Sequence, residues 1–407
     1  MIHTGIWWLF LGLGPLVYWL VLPLGWRMPA LALSSLALLG VFAFWDVTLM
    51  LGLALGVFYA FRLPPGFVAS LPALVRGPVR ALLERPWLFW AVFVYFVWAK
   101  YLPAMMGMMS GDGVAAVAVP LGISYFSFKL LHYVIEQRRG NFPPHGLADF
   151  AAWLFLAPIF TAGPIERFEH FLRERQITRF DWAFVHEGVL RIVQGLVKKF
   201  VLGWLTLELV DRVTNKGGVV GLALADTPAA PLVVWAALFL ALAYVYFDFS
   251  GYSDIAIGSS RLFGLRIMEN FNLPFLATNL QNFWQRWHMT LAHWCRSYIY
   301  MTMIGFTRNP YAAVFVTFTL MGLWHSASPH WVLWGMWHGA GLMWLLVWGQ
   351  WVRKYKISFF KTPAGAVVGC ALTLGYVVLG SSFTVLHGHA PIGAAFRLMG
   401  MAFGLAN

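Results

Sequence analysis

The chain has 407 residues, of which 60% are hydrophobic and 11% charged, against roughly 25% charged residues in soluble domains. That balance excludes a soluble globular protein and predicts one transmembrane domain over 1–407, since the largest polar insert, about 165–187, is too short for a second domain. The net charge of +12 does not imply nucleic acid, because the basic residues cluster in short loops between apolar runs, the positive-inside pattern of cytoplasmic loops.

A spanning helix needs about 20 apolar residues. Runs of this kind lie near 5–25, 29–45, 47–61, 87–107, 114–135, 149–164, 186–210, 230–250, 311–325, 328–350 and 363–385. The expectation is an all-α polytopic membrane protein with about eleven transmembrane helices. The opening "MIHTGIWWLFLGLGPLVYWLVLPLGW" has no basic leader and reads as the first span rather than a cleaved signal peptide. Arg27, the loop with Arg62, Arg76, Arg80 and Arg85, and Arg138–Arg139 are predicted to be cytoplasmic, with "SGDG" (110–113) and the N-terminus outside. Two further basic clusters, Arg167, Arg173, Arg175 and Arg179, and Arg353, Lys354 and Lys356, follow the same pattern. The stretches 149–164, 252–280 and 283–305 are candidates for re-entrant or interfacial helices that line a cavity.

Four segments carry unusual chemistry. "IFTAGPIERFEHF" (159–171) is a Gly-Pro break followed by an amphipathic run. It reads as a helix stop with a cytoplasmic surface helix, or as a docking face for a partner. "YFDFSGYSDIAIGSSRLFGLRIMENFNLPF" (246–275) places Asp248 and Asp254 at membrane depth, where carboxylates need partners. A packing network with Arg261 or Arg286 is the leading reading there, and direct catalysis the alternative. "FWQRWHMTLAHWCRSYIY" (283–300) carries Arg286, His288, His293 and Arg296. Read as one helix, it puts Trp284, His288 and Cys295 on one face, either as an interfacial helix or as a wall of a site. "GLWHSASPHWVLWGMWHGAG" (322–341) carries His325, His330 and His338, with Ser326, Ser328 and Pro329 breaking the helix just after His325.

An ionisable side chain in such apolar surroundings is costly to desolvate and is read first as functional. Histidine is also the side chain best suited to move a proton near neutral pH. His288 and His325 are therefore the candidate catalytic pair. A metal site from His288, His325 and His330 is disfavoured, because no carboxylate stands at ligand spacing. Cys295 and Cys370 have neither disulfide-framework nor zinc spacing. No phosphate-binding glycine loop, dinucleotide fingerprint or nucleophile elbow is present. A proton-coupled transporter would use the same aspartates and histidines as a relay, but no inverted repeat supports it.

In family order, "PLGISYFSFKLLHYVIEQRRG" (120–140), "FTAGPIERFEHF" (160–171), the 246–275 segment, "FWQRWHMTLAHWCRSYIY" and "GLWHSASPHWVLWGMWHG" (322–339) resemble the membrane-bound O-acyltransferases. The likeness is to the bacterial branch of alginate O-acetylase and lipoteichoic-acid D-alanyltransferase. The resemblance implies helices around a central tunnel, with His325 as the base and His288 as the second site histidine. It also implies direct acyl transfer with no metal and no bound cofactor. The donor would be an acyl thioester on the cytoplasmic face, acetyl-CoA or the phosphopantetheine of an acyl carrier protein. The acceptor would be a hydroxyl of an extracytoplasmic polysaccharide, or a partner acyltransferase or polymer-synthesis protein that completes the transfer. The setting would be the bacterial inner membrane. Acetyl transfer leads; D-alanyl transfer to a teichoic-acid-like polymer is the alternative. Ser297 and Ser326 stand where the family pattern has Asp and Gly.

Overall fold

The computed structural model of the protein describes residues 2–63, 72, 87–109 (backbone alone over 103–109) and 120–405. The basic positions Arg76, Arg80 and Arg85 and the 110–113 loop lie outside the described residues. Every regular element among the described residues is a helix. Three helices are long and apolar enough to cross a membrane: Leu24–Ala60, Pro231–Leu262 and Pro363–Val385. Shorter apolar helices cover Gly5–Val21, Trp87–Leu102 and Ile392–Ala402. The chain forms two compact units, Met1–Val193 with Ser253–Met268, and Gln194–Tyr252 with Glu269–Asn407.

In the first unit, the spans expected at 29–45 and 47–61 form one element, Leu24–Ala60, bent where Ala43 leaves helical geometry at φ −154°, ψ 61°. The 149–164 stretch is two short helices, Leu147–Leu154 and Ala157–Phe160, with almost no exposed surface. Lys129, 1% exposed, explains how such a short helix ends inside the protein. Its ammonium donates hydrogen bonds to the carbonyls of Trp153 and, at 3.2 Å, Leu154, two of the terminal carbonyls that a helix leaves without internal partners. Glu166 is likewise buried; it accepts from the Met268 N–H at 2.8 Å and pairs with His170. The Phe168–Glu174 helix turns Phe168, Phe171 and Leu172 inward. The docking face read from the amphipathic run is thus reduced to the opposite side of that helix. Arg191 pairs with Asp254 at 2.7 Å, and Arg261 with Glu187 at 2.7 Å.

In the second unit, Lys199 pairs with Asp248. The helices Pro310–His325 and Pro329–Lys354 form a tight antiparallel hairpin. A Cβ on Gly322 would stand 2.2 Å from the Trp331 carbonyl oxygen, and one on Gly335 2.3 Å from that of Phe318. Backbone therefore meets backbone along this seam, an approach only glycine permits. Helix Pro363–Val385 adds to the hairpin through stacked Trp337 and Tyr376 rings, 4.6 Å apart at 17°. The Ile392–Ala402 helix, below spanning length, follows it. Helix Pro231–Leu262 runs farther than the expected 230–250, so the aspartate-bearing stretch is helical through Leu262 rather than re-entrant.

Candidate active site

The site forms within the second unit, where two local breaks in helix present histidines to one cavity. The Pro310–His325 helix starts at Asn309, whose side chain accepts from the Tyr311 and Ala312 N–H groups. It stops at His325 because Ser326 adopts extended geometry, φ −160° and ψ 148°, before Pro329 opens the next helix. The half-buried His325 ring stacks on Trp331 at 4.2 Å and 16°, with Trp334 edge-on at 5.4 Å.

The region around His288 is not the single helix expected. It is two short helices, Leu280–Trp284 and Met289–Cys295, with His288 between them at φ 43°, ψ 51°. Trp284, His288 and Cys295 consequently share no helix face. The break is held open by the preceding loop. Met289 N–H donates to the Asn270 carbonyl, and Asn272 N–H to the Arg286 carbonyl, both at 2.9 Å. The His288 ring is 4% exposed. Its Nδ1 lies 3.0 Å from Asn270 Oδ1, which also accepts from the Thr290 hydroxyl at 2.9 Å. An amide oxygen only accepts, so Nδ1 carries the proton and a neutral His288 keeps a lone pair on Nε2.

His288 and His325 both line a cavity of about 120 Å³, together with Phe249, Trp334, His338 and Ser381. His338 is a third site histidine, 1% exposed. Its Nδ1 and the indole N–H of Trp284 have no hydrogen-bond partner among the described residues. The two rings meet edge to face, 5.2 Å apart at 87°. Trp284 also borders a second cavity of about 440 Å³, whose polar lining includes Gln285, His293 and Arg296 over an apolar floor with Leu345 and Leu346.

Sequence reading underrated His338 and Asn270. The spacing of Trp331, Trp334 and His338, i, i+3 and i+7, does put them on one helical face, and that signal points to His338. Nothing in local spacing pairs Asn270 with a histidine 18 positions on. The aspartates take partners other than those expected: Lys199 for Asp248 and Arg191 for Asp254, rather than Arg261 or Arg286. Neither aspartate lines the histidine cavity.

Comparison with known proteins bears on this arrangement. The model of the membrane-bound O-acyltransferase family matches residues 79–386. The chain is 33% identical over 277 residues to the probable alginate O-acetylase AlgI of Pseudomonas aeruginosa, covering 63% of this chain and 50% of that protein. It is 31% identical over 320 residues to that of Pseudomonas syringae, covering 74% and 58%. Against the teichoic acid D-alanyltransferase of Bacillus subtilis it is 31% identical over 258 residues, covering 58% and 61%. The chain thus spans between half and two thirds of the length of these relatives, and the stretch matched by the family model includes both histidine segments.

Proposed function

The chain belongs to the membrane-bound O-acyltransferase family, and we propose that it moves an acetyl group from a cytoplasmic thioester to a hydroxyl of an extracytoplasmic envelope polysaccharide, directly or through a partner transferase that finishes the transfer. The observation that carries this reading is the convergence of His288 and His325 on one cavity.

His325 is the base. It takes the proton of the acceptor hydroxyl as that oxygen attacks the thioester carbonyl. The new C–O bond forms, the C–S bond breaks, and the same proton goes to the departing thiolate. His288 orients the acceptor, because the lone pair on Nε2 accepts a hydrogen bond from the attacking O–H. The carbonyl oxygen needs a donor as charge develops on it, and the buried indole N–H of Trp284 is the one in reserve. The neighbouring cavity with Arg296, His293 and Gln285 has the mixed polar and apolar lining that a thioester's extended arm requires.

A second reading, D-alanyl transfer from a carrier protein to a teichoic-acid-like polymer, is supported by the similarity to the Bacillus subtilis D-alanyltransferase. Mild base treatment of the modified polymer separates the two, releasing acetate in one case and D-alanine in the other. The setting is an inner membrane, with the loops of Arg138–Arg139 and Arg353–Lys354 in the cytoplasm.

His325→Ala tests the core of this reading. Loss of a general base costs about 10²–10⁴-fold in rate, so envelope acylation is expected to vanish while the protein still inserts and accumulates. Wild-type acylation in that variant removes His325 from the chemistry.

A further inference from the structure

His338 lines the same cavity as His288 and His325, and the transfer described above gives it no task. It stands on helix Pro329–Lys354, seven positions after Trp331 and four after Trp334, so one helical face carries all three. Trp331 stacks on His325, while Trp334 is edge-on to His325 at 5.4 Å and meets the His338 ring at 4.9 Å. His325 and His338 thus flank the Trp334 indole along the wall of one cavity.

Packing alone does not call for an imidazole here. The rings of Trp284, Tyr376 and Phe318 surround it at 5.2, 6.2 and 6.5 Å. The Tyr376 hydroxyl is committed to the Trp337 carbonyl. The two hydroxyls that border the cavity are committed as well. Ser381 Oγ donates to the Val378 carbonyl at 2.6 Å, and Thr384 Oγ1 to that of Ser381 at 3.0 Å. His338 is 1% exposed, and its Nδ1 has no partner among the described residues. A buried polar atom without a partner is destabilising, and an apolar ring of similar size would suit this aromatic setting without that cost. The Trp284 indole N–H, on the ring edge-to-face with His338, is in the same state. Two neighbouring side chains at one wall of the cavity therefore each hold an unmatched polar atom, an arrangement suited to a ligand oxygen.

We propose that His338 donates a hydrogen bond from Nδ1 to the carbonyl oxygen of the acyl thioester, completing with Trp284 a two-donor site for the charge that develops there. This rests on the reading that an acyl thioester reaches the His325 cavity. Trp284 borders both this cavity and the larger one of about 440 Å³. A thioester whose arm lies in the larger cavity brings its carbonyl past the indole to His338. A neutral imidazole carries one proton, which takes the nitrogen that meets an acceptor, and in an apolar site it polarises a carbonyl in this way. As the acceptor oxygen attacks, the carbonyl π electrons move onto the carbonyl oxygen, where the two N–H groups hold the charge. They return to the carbon as the C–S bond breaks. His338 gives up no proton and forms no covalent bond, so the transfer remains direct. Its hydrogen bond strengthens as charge develops, which favours the transition state over the bound thioester.

The test uses the full chain in cells whose envelope it acylates, so that the native donor is present. Polymer acylation is measured per amount of protein in the membrane, and the melting of each purified variant is followed in detergent. His338→Phe keeps a flat ring and removes the donor. It is expected to lower acylation about 10²–10³-fold, the scale of one oxyanion donor, while melting at or above the wild-type temperature. His338→Asn holds an amide N–H near the position of Nδ1, and His338→Leu has a similar shape without it. The first is expected to exceed the second in acylation by about tenfold or more, and this pair decides the case even where His338→Phe does not accumulate. A packing role predicts the reverse, with His338→Phe active and His338→Asn no better than His338→Leu. Wild-type acylation in His338→Phe overturns the proposal, as does equal acylation in the other two. His325→Ala is run in parallel. If it abolishes acylation while His338→Phe is fully active, the donor role falls and the parent reading survives; persistent acylation in His325→Ala refutes the parent reading itself.

Discussion

Asn270→Ala is the most direct probe of how the site holds its geometry. The substitution removes one oxygen that serves two buried donors, His288 Nδ1–H at 3.0 Å and the Thr290 hydroxyl at 2.9 Å. A buried donor left without a partner costs about 1–3 kcal/mol, so loss of the acceptor for His288 Nδ1–H alone predicts a fall in stability of about 1–3 kcal/mol. The backbone bond from Met289 N–H to the Asn270 carbonyl survives, and with it the path of the chain. The ring, however, loses the bond that both sets its tilt and fixes its proton on Nδ1. A misplacement of about 1 Å at a reacting group costs about 10²-fold. The expected outcome is a 10- to 100-fold fall in polymer acylation, with a lowered unfolding temperature for the purified protein. Asn270→Asp keeps an acceptor for both donors and is expected to retain more activity than Asn270→Ala. Polymer-bound acetate released by mild base gives the rate, and intrinsic tryptophan fluorescence in detergent gives the stability. Unchanged acylation in Asn270→Ala would refute the claim that this bond positions His288.

Three further expectations follow from the same reasoning. His288→Asn and His288→Gln retain an acceptor oxygen and are expected to lose about 10–10³-fold, the scale of one oriented hydrogen bond at a reacting centre, whereas His325→Gln is inactive; equal inactivity of folded variants at both positions would make the two histidines one unit. In a background lacking Cys295 and Cys370, an impermeant thiol reagent applied to intact cells is expected to label a cysteine at His389 but not one at Arg138, and labelling at 138 would reverse the proposed orientation. The His170 imidazole is held above its ordinary value, first by its hydrogen bond to Glu166. Because a raised folded value gives stability that is complete below the unfolded value and is lost as pH rises through the folded one, the melting difference between wild type and His170→Ala is expected to be largest at mildly acidic pH and to shrink above neutrality; a pH-independent difference would show that the pair acts only through packing.

The long apolar runs were legible because lipid and helix impose strong, local constraints. The 363–385 run returns as helix Pro363–Val385, and the stop after His325 is written in Ser326, Ser328 and Pro329. What escaped a linear reading were the non-local partners. Lys129 sits inside the 114–135 run, and its partners, the carbonyls of Trp153 and Leu154, come to it only in the fold. The His288 break could not be read because no proline or glycine marks it. It is set by backbone pairing to the 270–272 loop, a long-range contact that overrides local helix propensity. His288 and His325 both stood out in the sequence as candidates, and the fold sets them against one cavity, while Asn270, which bonds the first of them, required the fold.

The left-handed backbone at His288 gives selection two conflicting signals. A side chain with a Cβ at φ 43° is strained by about 1–2 kcal/mol relative to glycine, and asparagine tolerates the region better than histidine does. Scans of protein abundance at this residue are therefore expected to favour Gly or Asn over the native histidine, while scans of polymer acylation rank the native residue first. Of the three histidines lining the cavity, only His288 sits in such a conformation, and it is there that abundance and activity should point in opposite directions.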